Sequence, residues 1–180
     1  MKKALFIVGS LREASFNRQL ANTAAAMLKG CEAVFLDYSD VPFMNQDLED
    51  PILPGVARVR AEVSAADLVW IFTPEYNHSY PGVLKNLLDW LSRPADPADR
   101  KSPSVLRGKP VMISGAAGQS AAGHSRGKLK ELLELLGMDL RHGAGTGVVL
   151  GREAFTSGIL TLTDEERQSL AAQCAEADRL

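Results

Sequence analysis

Five short apolar segments recur along the chain and predict β-strands, at residues 4–8, 32–36, 68–72, 111–114 and within 138–150. The first and third contain no polar residue, which indicates strands that are buried on both faces of a sheet. The start of the fifth strand is obscured by Gly143, Gly145 and Gly147.

Between these segments, apolar residues recur at the spacing of amphipathic helices. Four helical faces are marked by Phe16, Leu20, Ala24, Met27 and Leu28, by Val56, Val59, Val63 and Ala66, by Val83, Leu84, Leu87, Leu88, Trp90 and Leu91, and by Leu129, Leu132, Leu133 and Leu136. Thr163 and Glu166 form a capping box that predicts a last helix over residues 164–177. The alternation predicts an α/β fold, with one domain over residues 1–180 and a five-stranded parallel sheet covered by helices on both faces.

In such a sheet, ligands bind beyond the carboxyl ends of the strands. Three loops rich in glycine, serine or proline leave those ends, at residues 9–15, 73–82 and 115–123. We therefore expect these three loops to converge on one site. A further irregular segment, residues 92–108 with Pro94, Pro97 and Pro103, is long enough to cover a site or an interface, or is an excursion without a role.

The loop after the first strand has the composition of a phosphate-binding turn. A glycine at its start permits a tight bend, and Ser10, Ser15 and Asn17 offer short polar side chains. Arg12 or Arg18 would add a planar cationic fork, and the free N–H groups of the following helix would favour the same anion. The alternative is that Ser15 only caps the helix while the arginines lie in water.

Composition and charge exclude several classes of function. A net charge of −2 and a pI near 5.9 provide no basic field for nucleic acid. The apolar run after Lys2 and Lys3 is too short for a signal peptide, and no segment approaches the length of a membrane span. We therefore expect a cytoplasmic protein with no membrane partner. Cys31 and Cys174 form no pair motif and are expected to be buried or idle thiols.

The three histidines give no signal for a metal site. His78, His124 and His142 have neither ligand spacing nor an evident partner, so we expect surface or loop histidines and no bound metal. Arg126 and Lys128 follow the third loop and are candidates for contacting the phosphates of a nicotinamide cofactor. The alternative is that both belong to a solvated helix face.

Two blocks of the sequence together resemble the flavodoxin-like NAD(P)H-dependent FMN reductases, which include bacterial quinone, chromate and azo-dye reductases. The first block is Gly9-Ser10-Leu11-Arg12 with Ser15 and Asn17. The second is Pro74-Glu75-Tyr76-Asn77 with Ser79, Pro81-Gly82, Leu84-Lys85-Asn86 and Asp89-Trp90. The resemblance implies a flavodoxin-like three-layer sandwich.

The resemblance also implies the site, residue by residue. The FMN phosphate would be held by Ser10, Arg12, Ser15, the backbone N–H of Phe16, and Asn17. The isoalloxazine would lie, chiefly through main-chain contacts, along Pro74, Glu75, Tyr76 and Asn77. Its other side would be closed by the backbone of Ala116, Ala117 and Gly118, where relatives often carry serine or threonine.

The activity implied is transfer of a hydride from NADPH or NADH through bound FMN to a quinone or a similar small acceptor, such as chromate, an azo dye or free flavin. No side chain is assigned as a catalytic acid or base. Tyr76 or Tyr80 could stack on the flavin or substrate, or both could be plain loop aromatics. Two alternatives from other classes remain open: a flavodoxin-type one-electron carrier and a flavin-binding regulatory module.

The helix over residues 83–91 also suggests a protein partner. Its apolar side chains spread over roughly 160°, which is wider than the stripe of about 100° that one sheet requires. We expect part of this face to lie against another subunit. The resemblance agrees, because it implies a homodimer or a homotetramer.

Overall fold

The computed structural model describes residues 1–96 and 98–180. Pro97, in the predicted loop 92–108, lies outside the described residues. The described residues form six strands and six α-helices, in this order: β1 (Lys2–Val8), α1 (Phe16–Met27), β2 (Cys31–Phe35), α2 (Pro54–Ala65), β3 (Leu68–Phe72), α3 (Gly82–Leu91), β4 (Pro110–Ala117), α4 (Gly123–Leu135), β5 (Asp139–Leu140), β6 (Thr146–Val149), α5 (Arg152–Ser157) and α6 (Asp164–Ala177).

The strands form one parallel sheet in the order β2-β1-β3-β4, with β5 and β6 both beside β4. This is the flavodoxin-like order, so the predicted fold class is confirmed. β5 and β6 occupy one strand position that is interrupted at residues 141–145. At the interruption Gly145 has φ of +66°, and a Cβ atom there would collide with the carbonyl oxygen of Ile113, so only glycine fits.

Successive strand residues face opposite sides of the sheet and divide the core into two clusters. Leu5 and Ile7 lie in the cluster beneath α2, α3 and α4, whereas Phe6 and Val8 lie in the cluster beneath α1 and α6. The helices therefore cover both faces, as the pattern of the sequence predicts. Trp70, which lies within β3, is fully buried in the second cluster.

A buried polar network joins α6 to the middle of β4. The side-chain amide oxygen of Gln173 accepts hydrogen bonds from the Ser114 hydroxyl (2.8 Å) and the Thr146 N–H (3.0 Å). The Gln173 amide donates to the Ile113 carbonyl (3.0 Å), and the Trp70 indole N–H donates to the Ser114 hydroxyl (3.0 Å). The last helix is thus fixed directly behind the strand that carries the third predicted loop.

The wide apolar face of α3 is covered by the chain itself. Its large apolar residues are almost completely buried within the single chain: Leu84, Leu87, Leu88, Trp90 and Leu91. The segment 41–44 lies over the helix, because the Asn86 amide and the Trp90 indole both donate to the Pro42 carbonyl (2.8 Å each). The width of this face therefore requires no second subunit, and that reason for expecting one was wrong.

The largest differences from the prediction are the end of β4 and the presence of α5. β4 continues through Ala117 rather than ending at Ser114, because β6 pairs with its last four residues. The short helix α5 was not predicted, since six residues with one apolar aromatic carry no helical period. The last helix and its capping box at Thr163 are confirmed.

The remaining expectations concern the thiols and the membrane. Both cysteines are free and buried, as predicted, and burial raises the pKa of Cys174 to about 12. Among the described residues, no helix combines the length and the apolar character needed to cross a bilayer.

Candidate functional site

The carboxyl ends of the central strands are joined by hydrogen bonds that continue past the last paired residues. The Gly9 N–H donates to the Phe72 carbonyl (2.8 Å), and the Thr73 N–H donates to the Ser114 carbonyl (2.9 Å). The first loop is thereby held against the second, and the second against the third. All three predicted loops meet at this edge of the sheet.

A cavity of about 240 Å³ lies between the three loops. All of the predicted site residues except Asn77 line it: Ser10, Arg12, Ser15, Phe16, Asn17, Pro74, Glu75, Tyr76, Ala116, Ala117 and Gly118. Leu150 and Phe155 complete the lining. The residues predicted from the sequence therefore do meet at this cavity. The prediction did not include Leu150 and Phe155, which come from the C-terminal segment.

The first loop presents the N-terminus of α1 to this cavity. The Ser15 hydroxyl accepts from the Arg18 N–H (3.3 Å), so Ser15 does cap the helix, and its own proton remains available for a second partner. The N–H groups of Phe16 and Asn17 begin the helix and have no acceptor within it. Both interpretations of Ser15 are thus compatible, because a capping serine can also donate to an anion.

Arg12 adds a positive charge at the same end. Its side chain is exposed, and its guanidinium lies 5.6 Å from the centre of the Phe16 ring. Its backbone N–H lies 3.4 Å from the Ser10 hydroxyl oxygen, which folds the loop toward the helix. The positive end of the helix dipole and a guanidinium therefore share one side of the cavity.

Asn17 links α1 to the end of β4. Its amide nitrogen donates to the Ala116 carbonyl (3.0 Å), and its amide oxygen accepts from the Ala116 N–H (2.9 Å). The side chain is buried, with 2% of its residue surface exposed. Because both ends of the amide are engaged, Asn17 can contact a ligand through its backbone N–H, and the Ala116 N–H is already occupied.

The second loop is a tight turn. Tyr76 and Ser79 exchange two backbone hydrogen bonds (2.9 and 3.0 Å), and the central residues Asn77 and His78 have positive φ of 52° and 58°. This is the geometry of a two-residue hairpin turn, and it places Asn77 at the tip, away from the cavity lining. Tyr76 lines the cavity, whereas Tyr80 packs against the core.

Glu75 fixes the second loop to the third. One of its carboxylate oxygens accepts from the backbone N–H groups of His124 (2.9 Å) and Ser125 (3.1 Å) in the first turn of α4. Ala122, the residue directly before α4, has no side chain that could cap this helix. Burial acts to raise the pKa of Glu75, but these hydrogen bonds outweigh it and the pKa lies below its ordinary value.

Arg126 is half-buried, so it is not the fully solvated side chain that one alternative expected. Its guanidinium donates to the carbonyls of Ala121 (3.2 Å), Ala144 (2.7 Å) and Gly145 (2.7 Å). It thus joins the third loop to the interruption before β6, and its contact with the phosphates of a nicotinamide cofactor stays a prediction. Lys128 is exposed, which agrees with a solvated helix face.

Phe155 is the main residue that the sequence reasoning missed. It lies on α5, is 61% exposed, and contacts the Phe16 ring edge to face at 5.7 Å. The only signal in the sequence was one aromatic residue within a polar segment. Tyr76, which is 54% exposed, lines the same cavity and is the other exposed aromatic of the lining.

All three histidines are exposed, as expected, but each has a neighbour that the sequence did not indicate. The rings of His78 and His124 lie 4.4 Å apart, and the Nδ1 atom of His78 lies 3.8 Å from a Glu75 carboxylate oxygen. His142 forms a hydrogen bond with Glu176 (2.9 Å). Residues 78 and 124 are distant in the sequence, so their spacing gave no signal.

A larger cavity, of about 1040 Å³, lies away from the three loops. The segment after α3, which includes Arg93 and Arg100, forms much of its wall. None of the predicted site residues lines it. The composition of the smaller cavity, with an anion-binding end beside exposed aromatic side chains, fits FMN better, because FMN carries a phosphate and a flat ring system.

Comparison with known proteins identifies relatives of the chain. The sequence profile of one family, NADPH-dependent FMN reductase, matches residues 2–144. An NAD(P)H-dependent FMN reductase of Pseudomonas aeruginosa is 32% identical over 174 residues, which is 95% of this chain and 90% of that protein. A 2-hydroxy-1,4-benzoquinone reductase of Burkholderia sp is 44% identical over 117 residues, which is 64% of this chain and 60% of that protein.

A solved structure gives the same result for the fold. The flavoenzyme NAD(P)H:(acceptor) oxidoreductase FerB of Paracoccus denitrificans superposes with a TM-score of 0.83 at 29% identity. The alignment covers 99% of this chain and 96% of that one. The similarity therefore extends to residues that lie beyond the matched family region, including α5 and α6.

We predict that the contribution of Glu75 to stability depends on pH. Because its folded-state pKa is lowered, this contribution is present above the ordinary glutamate pKa of about 4.3 and is lost as the pH falls through the folded value. Glu75→Gln should lower the free energy of unfolding by about 1 kcal/mol at neutral pH, since it removes a charge at a helix N-terminus. Urea denaturation at neutral pH and at a pH below about 4.3 should show a smaller difference at the acidic pH.

Glu131→Gln is the matched control, because it makes the same change at an exposed position of α4. It should alter the free energy of unfolding by no more than about 0.5 kcal/mol at either pH. A difference between Glu75→Gln and the wild type that does not change with pH would contradict the assignment.

Proposed function

The chain belongs to the NADPH-dependent FMN reductase family, and on that premise we propose that it binds FMN and transfers a hydride from NADPH or NADH to a quinone or a similar small acceptor. The single observation that carries the proposal is the cavity between the three loops, which combines an anion-binding end with exposed aromatic side chains. The relative from Burkholderia sp is named as a 2-hydroxy-1,4-benzoquinone reductase, which supports a quinone as acceptor.

At the anion-binding end, the residues would hold the FMN phosphate mainly through N–H and O–H donors. Phe16 and Asn17 would contribute backbone N–H groups at the positive end of the α1 dipole. The hydroxyls of Ser10 and Ser15 would donate hydrogen bonds, and Arg12 would supply the balancing charge. The Asn17 side chain would act indirectly by keeping α1 against β4.

The second and third loops would hold the flavin ring. When bound, FMN accepts a hydride from the nicotinamide and passes electrons to the acceptor. Backbone N–H groups would face the side of the ring where negative charge develops. The Tyr76 N–H is already bonded to the Ser79 carbonyl, and the backbone of Ala117 is paired with β6. The candidates are therefore Glu75 and Asn77 in the second loop and Gly118 in the third.

Two exposed aromatic side chains would border the open face of the cavity. Tyr76 stands on the second loop and Phe155 on α5, and both line the cavity. A flat nicotinamide or quinone ring would pack against such side chains as it approaches the flavin. The protein would then contribute to the reaction by positioning the two rings, and not by a side-chain acid or base.

We predict that Arg12→Ala and Ser15→Ala each weaken the affinity for FMN roughly tenfold, because each removes one hydrogen bond or charge contact to the phosphate. Apoprotein titrated with FMN, followed by quenching of flavin fluorescence, measures this. Arg18→Ala is the control, since the Arg18 guanidinium lies over the Phe35 ring at 4.4 Å instead. Unchanged affinity in both site variants would refute the phosphate assignment.

We predict that NADPH or NADH alone bleaches the visible absorbance of the bound flavin under anaerobic conditions. A quinone added afterwards should restore the colour, because the acceptor removes the electrons. The expectation follows from an open cavity that two ring systems can enter in turn. A flavin that is reduced only after a separate reductase is added would indicate an electron carrier or a regulatory module instead.

We infer that the protein works in the cytoplasm as an oligomer. The two cysteines are free thiols, and free thiols are typical of proteins in a reducing compartment such as the cytoplasm. The segment 41–44 presents Phe43 to solvent with 87% of its surface exposed, and we place the proposed contact with a second copy at this residue.

We predict by light scattering a mass that is two or four times the chain mass of 19.4 kDa. Phe43→Asp should shift it toward the monomer, because it places a charge where an apolar contact is proposed. Leu135→Asp is the matched control at another exposed apolar residue, with 81% of its surface exposed on α4. A monomeric wild type would refute the oligomer, and dissociation by Leu135→Asp alone would refute the role of Phe43.

A further inference from the structure

We propose that Glu75, His78 and His124 form a binding site for a divalent transition-metal ion at the rim of the cavity. The three residues come from two different loops, and one potential ligand atom of each lies within 4.8 Å of the other two. Among the described residues, this is the group of metal-ligating side chains that the fold brings together.

The three side chains differ in how firmly they are held. Glu75 is anchored, with 8% of its side chain exposed and one carboxylate oxygen engaged by the first turn of α4. Its other oxygen is directed toward His78, at 3.8 Å from Nδ1. One fixed carboxylate oxygen is thus already oriented toward the point where the two imidazoles meet.

The imidazoles are free to complete the site. His78 is 73% exposed, and its ring meets the His124 ring at 4.4 Å and 82°. Two ligand atoms of a tetrahedral zinc site lie about 3.4 Å apart, so the present atoms need to approach one another by about 1.5 Å at most. Rotation about the side-chain bonds of an exposed histidine provides a movement of this size without any change in the backbone.

The backbone that carries His78 is already in an unusual conformation. Asn77 and His78 both have positive φ, and the two hydrogen bonds between Tyr76 and Ser79 close the turn. Histidine and asparagine tolerate this region better than most residues do. The turn therefore directs His78 back toward α4, where His124 is the second residue of the helix.

The ligand set selects the class of metal. Two imidazole nitrogens and one carboxylate oxygen suit zinc, cobalt, nickel and copper, whereas magnesium and calcium prefer oxygen ligands alone. The negative charge of the Glu75 carboxylate offsets part of the charge of the ion. Three protein ligands leave one position of a tetrahedral ion open to water or to an oxygen of a small ligand.

One nearby positive charge opposes the ion. Arg126 lies close enough for the charge of Glu75 to influence its pKa. Its guanidinium, however, donates to the carbonyls of Ala121, Ala144 and Gly145, and these acceptors offset part of its positive charge.

The test is calorimetric titration of the chelator-treated protein with Zn²⁺ in a buffer that does not bind zinc. The wild type should bind one ion per chain. His78→Asn and His124→Ala should each weaken the affinity at least about tenfold, because each removes a direct ligand. Asparagine retains the preference for positive φ at position 78, so the turn should remain folded.

His142→Ala is the matched control, because His142 is paired with Glu176 away from this site. It should bind zinc as the wild type does. Equal binding by the wild type and both site variants, or the absence of stoichiometric binding by the wild type, would overturn the proposal.

Electron paramagnetic resonance with one equivalent of Cu²⁺ provides a second measurement that does not depend on FMN or on enzyme activity. Nitrogen splittings should report two imidazole ligands in the wild type and one in each site variant. A wild-type spectrum that is unchanged in both variants would show that the ion binds elsewhere. Loss of the signal in His142→Ala alone would also overturn the assignment.

Discussion

The site exists because the backbone groups at the carboxyl ends of a parallel sheet must find partners after the neighbouring strand has ended. β3 stops at Phe72 while β4 continues to Ala117, so one edge of the last residues of β4 faces no strand. Asn17 fills that gap with both ends of its amide, as a short substitute for a strand. Because the backbone N–H and carbonyl of Ala116 need hydrogen-bond partners, Asn17 and the N-terminus of α1 lie beside the third loop. The free N–H groups of this helix end therefore face the cavity.

The need to satisfy backbone groups also explains what several distinctive polar side chains do. Glu75 caps α4, Arg126 ties the third loop to residues 144 and 145, and Asn86 holds the segment 41–44 over α3. Each of these side chains satisfies backbone groups of another element. The side chains thus fix the positions of the loops, and the main chain is left to face the cavity.

The sequence predicted the strands, the layers and the set of residues that converge, because these depend on local periodicity and on the rule that parallel strands end at one edge. It could not predict contacts between distant residues. The rings of His78 and His124 meet because His78 lies in a positive-φ turn and His124 lies at the start of α4. Glu75 holds the turn and the helix start together. The wall formed by Phe155 was missed for the same reason, since a six-residue helix has no period to detect.

The matched family region and the rest of the chain contribute differently to the cavity. The anion-binding end and the first two loops lie within residues 2–144, whereas Leu150 and Phe155 come from beyond it. A site that binds a phosphate needs fixed N–H groups, which a strand-loop-helix unit provides through its backbone geometry. The open side needs only apolar area of suitable shape, which many sequences can provide. Differences in acceptor between relatives are therefore expected to arise at the C-terminal wall, where side chains rather than backbone groups form the surface.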